Sequence, residues 1–401
     1  MLRIAIIGSG ISGLSAAYYL AQDHAIDLFE KDSRLGGHTH THALDLDKQV
    51  NVDTGFIVMN NRNYPLLTDL FLELQVELHP TAMSFGVTSE DFSWGVDDYL
   101  SLRFLRNPQK IRLLFEIIRF NRLAKNIQSS DSIDSWLDQK KFSKFFKNYY
   151  ILPMSAAIWS SSGETIKDFP MRSLSKFFDN HGLFNLLRRP QWYSVISGSK
   201  TYIPKLLQHA NINNIFLNVD VRVTRTDQGV EIFVDNKTEI YDAVIFACHA
   251  NQVANILDDI SPTESETLSK FTYSNNAVVL HEDPALMPPN KKQWASWNGM
   301  RTQQKEFVTY WMNNLQKLDT EHEIFVSIGN FPQPQGTIHE ELTYEHPIFN
   351  ESTLAGQQQI KNIQGVNNTF YVGAHLGYGF HEDGIQSAFN IIKKLQGDIK
   401  L

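Results

Sequence analysis

One turn near the N-terminus constrains this chain more than any other feature. Residues 3–7, Arg-Ile-Ala-Ile-Ile, have the continuous apolar character of a buried parallel strand. Gly8-Ser-Gly10-Ile11-Ser12-Gly13 follows, and Leu14 to Leu20 then reads as an apolar helix. In that order each glycine has a separate use. Gly8 permits the tight exit from the strand, Gly10 removes a side chain that would block a pyrophosphate, and Gly13 lets helix and strand pack closely. The helix start adds free N–H groups and the positive end of its dipole. A second strand, residues 25–29, ends at Glu30, seventeen residues beyond Gly13 and placed to accept hydrogen bonds from a ribose. Strand, helix and acid all agree with the glycines, so the turn reads as a dinucleotide site.

Nicotinamide and flavin proteins share that turn, and the segments beyond it separate them. Arg34-Leu-Gly36-Gly37 brings a guanidinium and a second glycine pair, and Asp53-Thr54-Gly55-Phe56 forms another turn with a carboxylate. Near the C-terminus, Phe-Tyr-Val-Gly373 leads to Gly377-Tyr-Gly379-Phe380-His381-Glu382-Asp383-Gly384 and a helical run from Ile385 to Leu395. A site drawn from both ends suits a long cofactor such as FAD, with helix amides near Gly384 and Ile385 facing negative charge on the reduced flavin. A nicotinamide-linked dehydrogenase has no need of the C-terminal block.

These four stretches resemble the FAD-dependent amine oxidase and phytoene desaturase superfamily. A narrower likeness, covering nearly the whole chain, is to a bacterial subgroup described as NAD/FAD-binding or amine-oxidase-like proteins. Its carriers are Pro153-Met154, Ala157-Ile-Trp159-Ser160, Asn180-His181-Gly182-Leu183, Gly198-Ser199 with Tyr202, Leu280-His281, Met287-Pro288, Tyr310-Trp-Met-Asn313 and Tyr344-Glu-His-Pro347. The resemblance implies an α/β, Rossmann-like FAD-binding domain of the amine oxidase type with an α+β substrate domain inserted. It also implies a lipid acyl chain as substrate and a methyltransferase of the cyclopropane-fatty-acid synthase type as partner. The FAD-binding domain is expected at 1–70, 195–260 and 365–401, and the substrate domain at 71–194 and 261–364.

The expected cofactor contacts are Gly8, Gly10, Ile11, Ser12 and Gly13, then Glu30, Lys31, Arg34, Gly36, Gly37 and His38, then Asp53, Thr54, Gly55 and Phe56. At the C-terminus they are Gly373, Glu382, Asp383, Gly384 and Ile385, with Glu382 or Asp383 facing the ribityl chain. In the superfamily a backbone valine meets the adenine, and Val221 is the candidate here, with Val219 and Val223 as alternatives. Aligning on Gly384 puts His381 where amine oxidases carry a tyrosine of their aromatic cage, which weakens an amine-oxidase assignment. His381, with an ordinary pKa near neutrality, becomes the candidate for proton transfer. The reading is a noncovalent FAD-dependent oxidoreductase taking hydride from a hydrophobic, lipid-derived substrate. An amine oxidase, or a flavin-binding partner without turnover, are the alternatives.

Composition excludes some classes. The net charge of −8 argues against nucleic acid, and the single Cys248 lies in an apolar run typical of a core strand, which forbids an intrachain disulfide. With the first strand at residue 3 and no long apolar run, a cytoplasmic location is expected, with any membrane contact peripheral. Residues 101–127 break the charge rule: Arg103, Arg106, Lys110, Arg112, Arg119, Arg122 and Lys125 oppose only Glu116, with apolar residues interleaved. That stretch fits either a partly buried helix with solvated arginines or a helix lying on anionic lipid. His38, His40 and His42 alternate as a metal site would require, but no carboxylate or cysteine completes a set. Asn180-His181 fits an acid–base pair or a turn cap equally well.

Overall fold

The computed structural model describes residues 1–95, 106–129, 131–159, 166–180, 182–184, 190–302 and 305–398. Arg103, Ser160 and His181, singled out above, lie outside the described residues. The centre of the dinucleotide-binding unit is a five-stranded parallel sheet in the order Asn214–Phe216, Ala25–Phe29, Arg3–Ile7, Ala243–Phe246, Thr369–Tyr371. Its strands come from three distant parts of the sequence, and the two central ones are buried on both faces, as the unbroken apolar runs require. The helix Ile11–Leu20 and the C-terminal helix His381–Asp398 pack against each other on one face. The opposite face is covered by a three-stranded antiparallel sheet, Arg222–Thr226, Gly229–Val234 and Lys237–Tyr241.

The first of those strands starts at Arg222, so that of the three candidate valines only Val223 lies within it. Val219 and Val221 precede it because the chain there is tied to the end of the second strand, with the Val219 N–H donating to the Glu30 carbonyl at 3.2 Å. The helix Pro65–Glu73 runs through residue 70, and Leu70, Phe71 and Leu74 all sit in the core of the dinucleotide-binding unit.

A second, mixed sheet of seven strands is built from 71–194 and 261–364. Its order is Ile338–Pro347, Tyr273–His281, Phe325–Gly329, Glu306–Trp311, Trp297–Arg301, Phe85–Ser89, Ser93–Gly95. Helices at 108–159 and 171–180 close it into a separate aromatic core centred on Phe120, Phe146 and Phe178. Smaller pairings join the units, notably Trp192–Val195 between Met59–Asn60 and Leu78–Thr81. Among the described residues no helix is long and apolar enough to cross a membrane.

Candidate functional site

Gly8 leaves the first strand at φ +104°, a conformation that L side chains rarely adopt, and a Cβ there would lie 2.8 Å from the Ala247 backbone. A Cβ on Gly13 would lie 2.0 Å from the Gly8 carbonyl oxygen, so the helix seats directly on the turn. Gly10 is different: a Cβ there meets nothing within 4 Å, because the residue faces open space. Glu30 is held by the turn itself. Its Oε2 accepts from the Ser9 N–H at 2.8 Å and the Ser9 hydroxyl at 2.5 Å, and its Oε1 accepts from the Asp32 N–H at 3.0 Å.

That open space is one end of a single cavity of about 1020 Å³. It starts between the glycine turn, Glu30 and Val219–Arg222, and passes Gly36, Gly37 and His38. It then reaches Thr54–Phe56, Gly373 and His381, and ends in an arm of aromatic and aliphatic side chains including Met83, Phe85, Met154, Trp159, Phe177 and Tyr310. The acidic and basic side chains lining it are Glu30, Lys31, Asp32, Arg34, Asp220, Arg222 and Glu345. Among the described residues none of these belongs to the segments that form the apolar arm.

The cavity therefore gathers Gly8, Gly10, Ile11, Ser12, Glu30, Lys31, Arg34, Gly36, Gly37, His38, Thr54, Gly55, Phe56, Val221, Gly373 and His381. Val219 lines it beside Val221, whereas Val223 is wholly buried in its strand. Other expected contacts are spent on the scaffold. Asp53 is buried, accepting from Thr41, from the Ser199 N–H and hydroxyl, and from Gln316 Nε2; burial pushes its carboxyl up to about 6.

Glu382 and Asp383 do not reach the cavity as expected of ribityl contacts. The Glu382 carboxylate caps the helix at 65–73, accepting from the Leu66 and Leu67 N–H groups at 2.9 and 3.0 Å. Asp383 accepts from the Phe380 N–H at 2.9 Å, at the start of its own helix. Gly384 is turned toward the first helix, where a Cβ would lie 2.8 Å from Ile11 and Ser12, and Ile385 is fully buried. The two helix starts thus meet, and the residue that the second presents to the cavity is His381.

His381 stacks on Phe56, ring centroids 3.9 Å apart, and its Nε2 lies 3.1 Å from the Thr39 hydroxyl. Burial lowers its pKa to about 3, so the near-neutral titration expected from its type is absent and the ring is neutral at physiological pH.

Further imidazoles line the cavity that sequence reasoning did not single out. His249 stacks on Tyr273 and its Nδ1 lies 3.0 Å from Glu345; His346 hydrogen-bonds Asn276; His375 lies against Phe271. Burial lowers the pKa of all three, to about 4 for His346 and about 3 for His375. Tyr344-Glu-His346 was visible only as part of the resemblance. His38 sits among these rings with its Nε2 buried and no hydrogen-bonding partner. Of the three alternating histidines, His40 and His42 stay together, ring centroids 4.1 Å apart, His40 pairing with the Tyr344 hydroxyl and His42 with that of Thr54, while His38 lies against Tyr344 and His346. Cys248 lines the cavity, its thiol pushed up to about 12 by burial, which leaves it unreactive at neutral pH.

Fold and site together define a dinucleotide-binding α/β protein with a large apolar chamber beside its nucleotide cleft. Residues 6–74 match the family described as NAD(P)-binding Rossmann-like domain. Over its whole length the chain shares its fold with solved amine oxidases of low sequence identity. It is similar to the CLA-producing fatty acid isomerase from P. acnes, with a TM-score of 0.71 at 18% identity over 100% of this chain and 99% of that one. Putrescine oxidase bound to putrescine gives 0.71 at 14% over 99% of each chain. Cyclohexylamine oxidase from Brevibacterium oxydans IH-35A gives 0.71 at 14% over 98% of this chain and 99% of that one.

Proposed function

We propose that the chain is an FAD-dependent oxidoreductase that dehydrogenates or isomerises a hydrophobic, lipid-derived substrate. The observation that carries this reading is the continuity of one cavity from the glycine turn to an apolar arm that, among the described residues, has no Asp, Glu, Lys or Arg in its lining. The residues fit the cofactor. Gly10 leaves space where a pyrophosphate would pass, Glu30, fixed by Ser9 and the Asp32 N–H, lines the cavity where a ribose would lie, and His38 keeps a buried nitrogen in need of a partner. Arg34 would neutralise the diphosphate, the Val221 backbone would meet the adenine, and residues 36–38, 54–56 and His381 would surround the ring. When bound, FAD supplies a hydride acceptor for a substrate C–H.

The chain's own task is placement and exclusion of water. Phe56 and the neutral His381 form a flat stacked wall, and the aromatic arm holds an alkyl chain by contact alone. The same lining disfavours amines: among the described residues an ammonium group entering the arm meets no carboxylate, a costly burial. The fatty acid isomerase similarity agrees with a lipid substrate, and a lipid-modifying methyltransferase remains the partner class that the sequence resemblance suggests.

The test is anaerobic mixing of the purified yellow protein with acyl lipids and, separately, with polyamines and aromatic monoamines. Reaction with lipid alone is the expected result: lasting bleaching of the flavin for a dehydrogenation, or conversion of the lipid to a double-bond isomer with the flavin returned to its oxidised form for an isomerisation. Bleaching by amines with release of hydrogen peroxide in air would overturn the substrate reading. A polypeptide that stays colourless after incubation with flavin nucleotides would overturn all of it.

A further inference from the structure

The helix Pro108–Leu123 has two apolar faces. Leu113, Ile117 and Phe120 point inward and are buried in the aromatic core. The outward face carries three more: Phe115 is 69% exposed, Ile118 47% and Leu123 39%. Exposed Arg112, Arg119 and Arg122 lie on that same face, since positions 112, 115, 118, 119, 122 and 123 fall on one side of a helix of 3.6 residues per turn. Lys125, Lys140, Lys141 and Lys144 extend the cationic area, and Arg119 donates to the backbone carbonyls of Lys140 and Lys141. The one acid on the helix, Glu116, accepts from the Ser143 N–H and hydroxyl and from Arg112 Nε at 3.3 Å, which offsets one of these cations and leaves the others in excess.

We propose that this face docks on an anionic lipid bilayer. Large apolar side chains standing in water among arginines are what an interfacial helix presents: the rings and aliphatic groups enter the acyl boundary while the guanidinium groups remain with the phosphates. Charge complementarity selects the occupant, because the chain as a whole carries −8 while this surface is cationic. Its position gives the docking a purpose. The inner face of the helix packs on Phe178 and Phe184, with ring centroids 5.9 and 6.2 Å from Phe120, and Asn121 donates to the Phe184 carbonyl at 3.2 Å. Phe177 and Leu183, their sequence neighbours, line the apolar arm. The helix itself and the Phe178 and Phe184 rings behind it stand between the lipid-facing surface and the chamber. The surface stands independently of the redox reading, since binding to a bilayer requires neither cofactor nor turnover.

The experiment is flotation of the full chain with vesicles of phosphatidylcholine alone or with about one-third phosphatidylglycerol. Binding is expected on the anionic vesicles only, and is expected to weaken as salt rises from about 0.1 to 1 M. The double variant R122Q/K125Q weakens partitioning about twenty-five-fold, roughly fivefold per cation. Phe115→Ser weakens it about tenfold or more through the lost apolar contact. Ile118→Ser serves as the second apolar variant, and unchanged circular dichroism and flavin content establish that each variant is folded. Equal flotation on neutral vesicles, no flotation on either, or full binding by the folded variants would overturn the proposal, as would capture of an acidic protein in place of anionic lipid.

Discussion

Three glycines of one turn separate what folding needs from what binding needs. Gly13 and Gly8 are fixed by close backbone approach, so Gly13→Ala forces a Cβ onto the Gly8 carbonyl and costs about 1–3 kcal/mol or more. Gly10 has room for a methyl group and an ordinary φ of −64°, and only its place as helix N-cap is at stake. Gly10→Ala is therefore expected to cost under about 1 kcal/mol of stability while abolishing cofactor retention. Urea unfolding together with the flavin absorbance of the purified variant checks this; retained flavin at wild-type stoichiometry would refute the assigned path of the pyrophosphate. The turn was legible because strand, glycines, helix and Glu30 are contiguous in sequence. His249 and His346 were not, since nothing local distinguishes a cavity-lining imidazole from a buried one.

Among the elements, the C-terminal helix carries the clearest departure from sequence expectation. Its motif points to a cofactor site, and the helix does deliver His381 to the cavity, yet Glu382 is used to cap the helix at 65–73 and Asp383 to cap its own. A sequence lists the carboxylates; only packing decides which unsatisfied N–H groups they meet. Glu382→Ala leaves the Leu66 and Leu67 N–H groups without their acceptor, and is expected to lower unfolding free energy by about 2 kcal/mol with flavin affinity nearly unchanged. A parallel fall in affinity, read by flavin release on dilution, would return Glu382 to the cofactor site. The seven-stranded sheet was likewise beyond sequence reasoning. It pairs Phe85–Ser89 with Trp297–Arg301 across two hundred residues, and register at that range is set by the core.

At the scale of the whole molecule, the buried imidazoles set the response to acid. His40, His281, His346, His375 and His381 have pKa values lowered to between about 3 and 4 by burial, against about 6.5 in an unfolded chain. As pH falls below 6.5 the unfolded state takes up these protons and the folded state does not, so the stability they contribute is present above pH 6.5 and lost toward pH 4. Asp53 and Asp383, both raised to about 6, act in the opposite sense between about pH 4 and 6, but they are two carboxyls against five imidazoles. The urea midpoint is expected to be highest near neutrality and to fall steadily from pH 7 to pH 5. A midpoint that rose over that interval would show the imidazoles to be solvated.

The meeting of Gly384 with Ile11 and Ser12 also bears on how the protein is made. The sheet that carries the glycine turn receives its last strand from residues 369–371, and the turn receives its second wall from the helix after it. A nascent chain emerging from the ribosome therefore displays an incomplete cleft until residues 369–384 have emerged. The proposed cofactor, bound between these segments, would act as a clasp joining parts of the polypeptide that lie far apart in sequence.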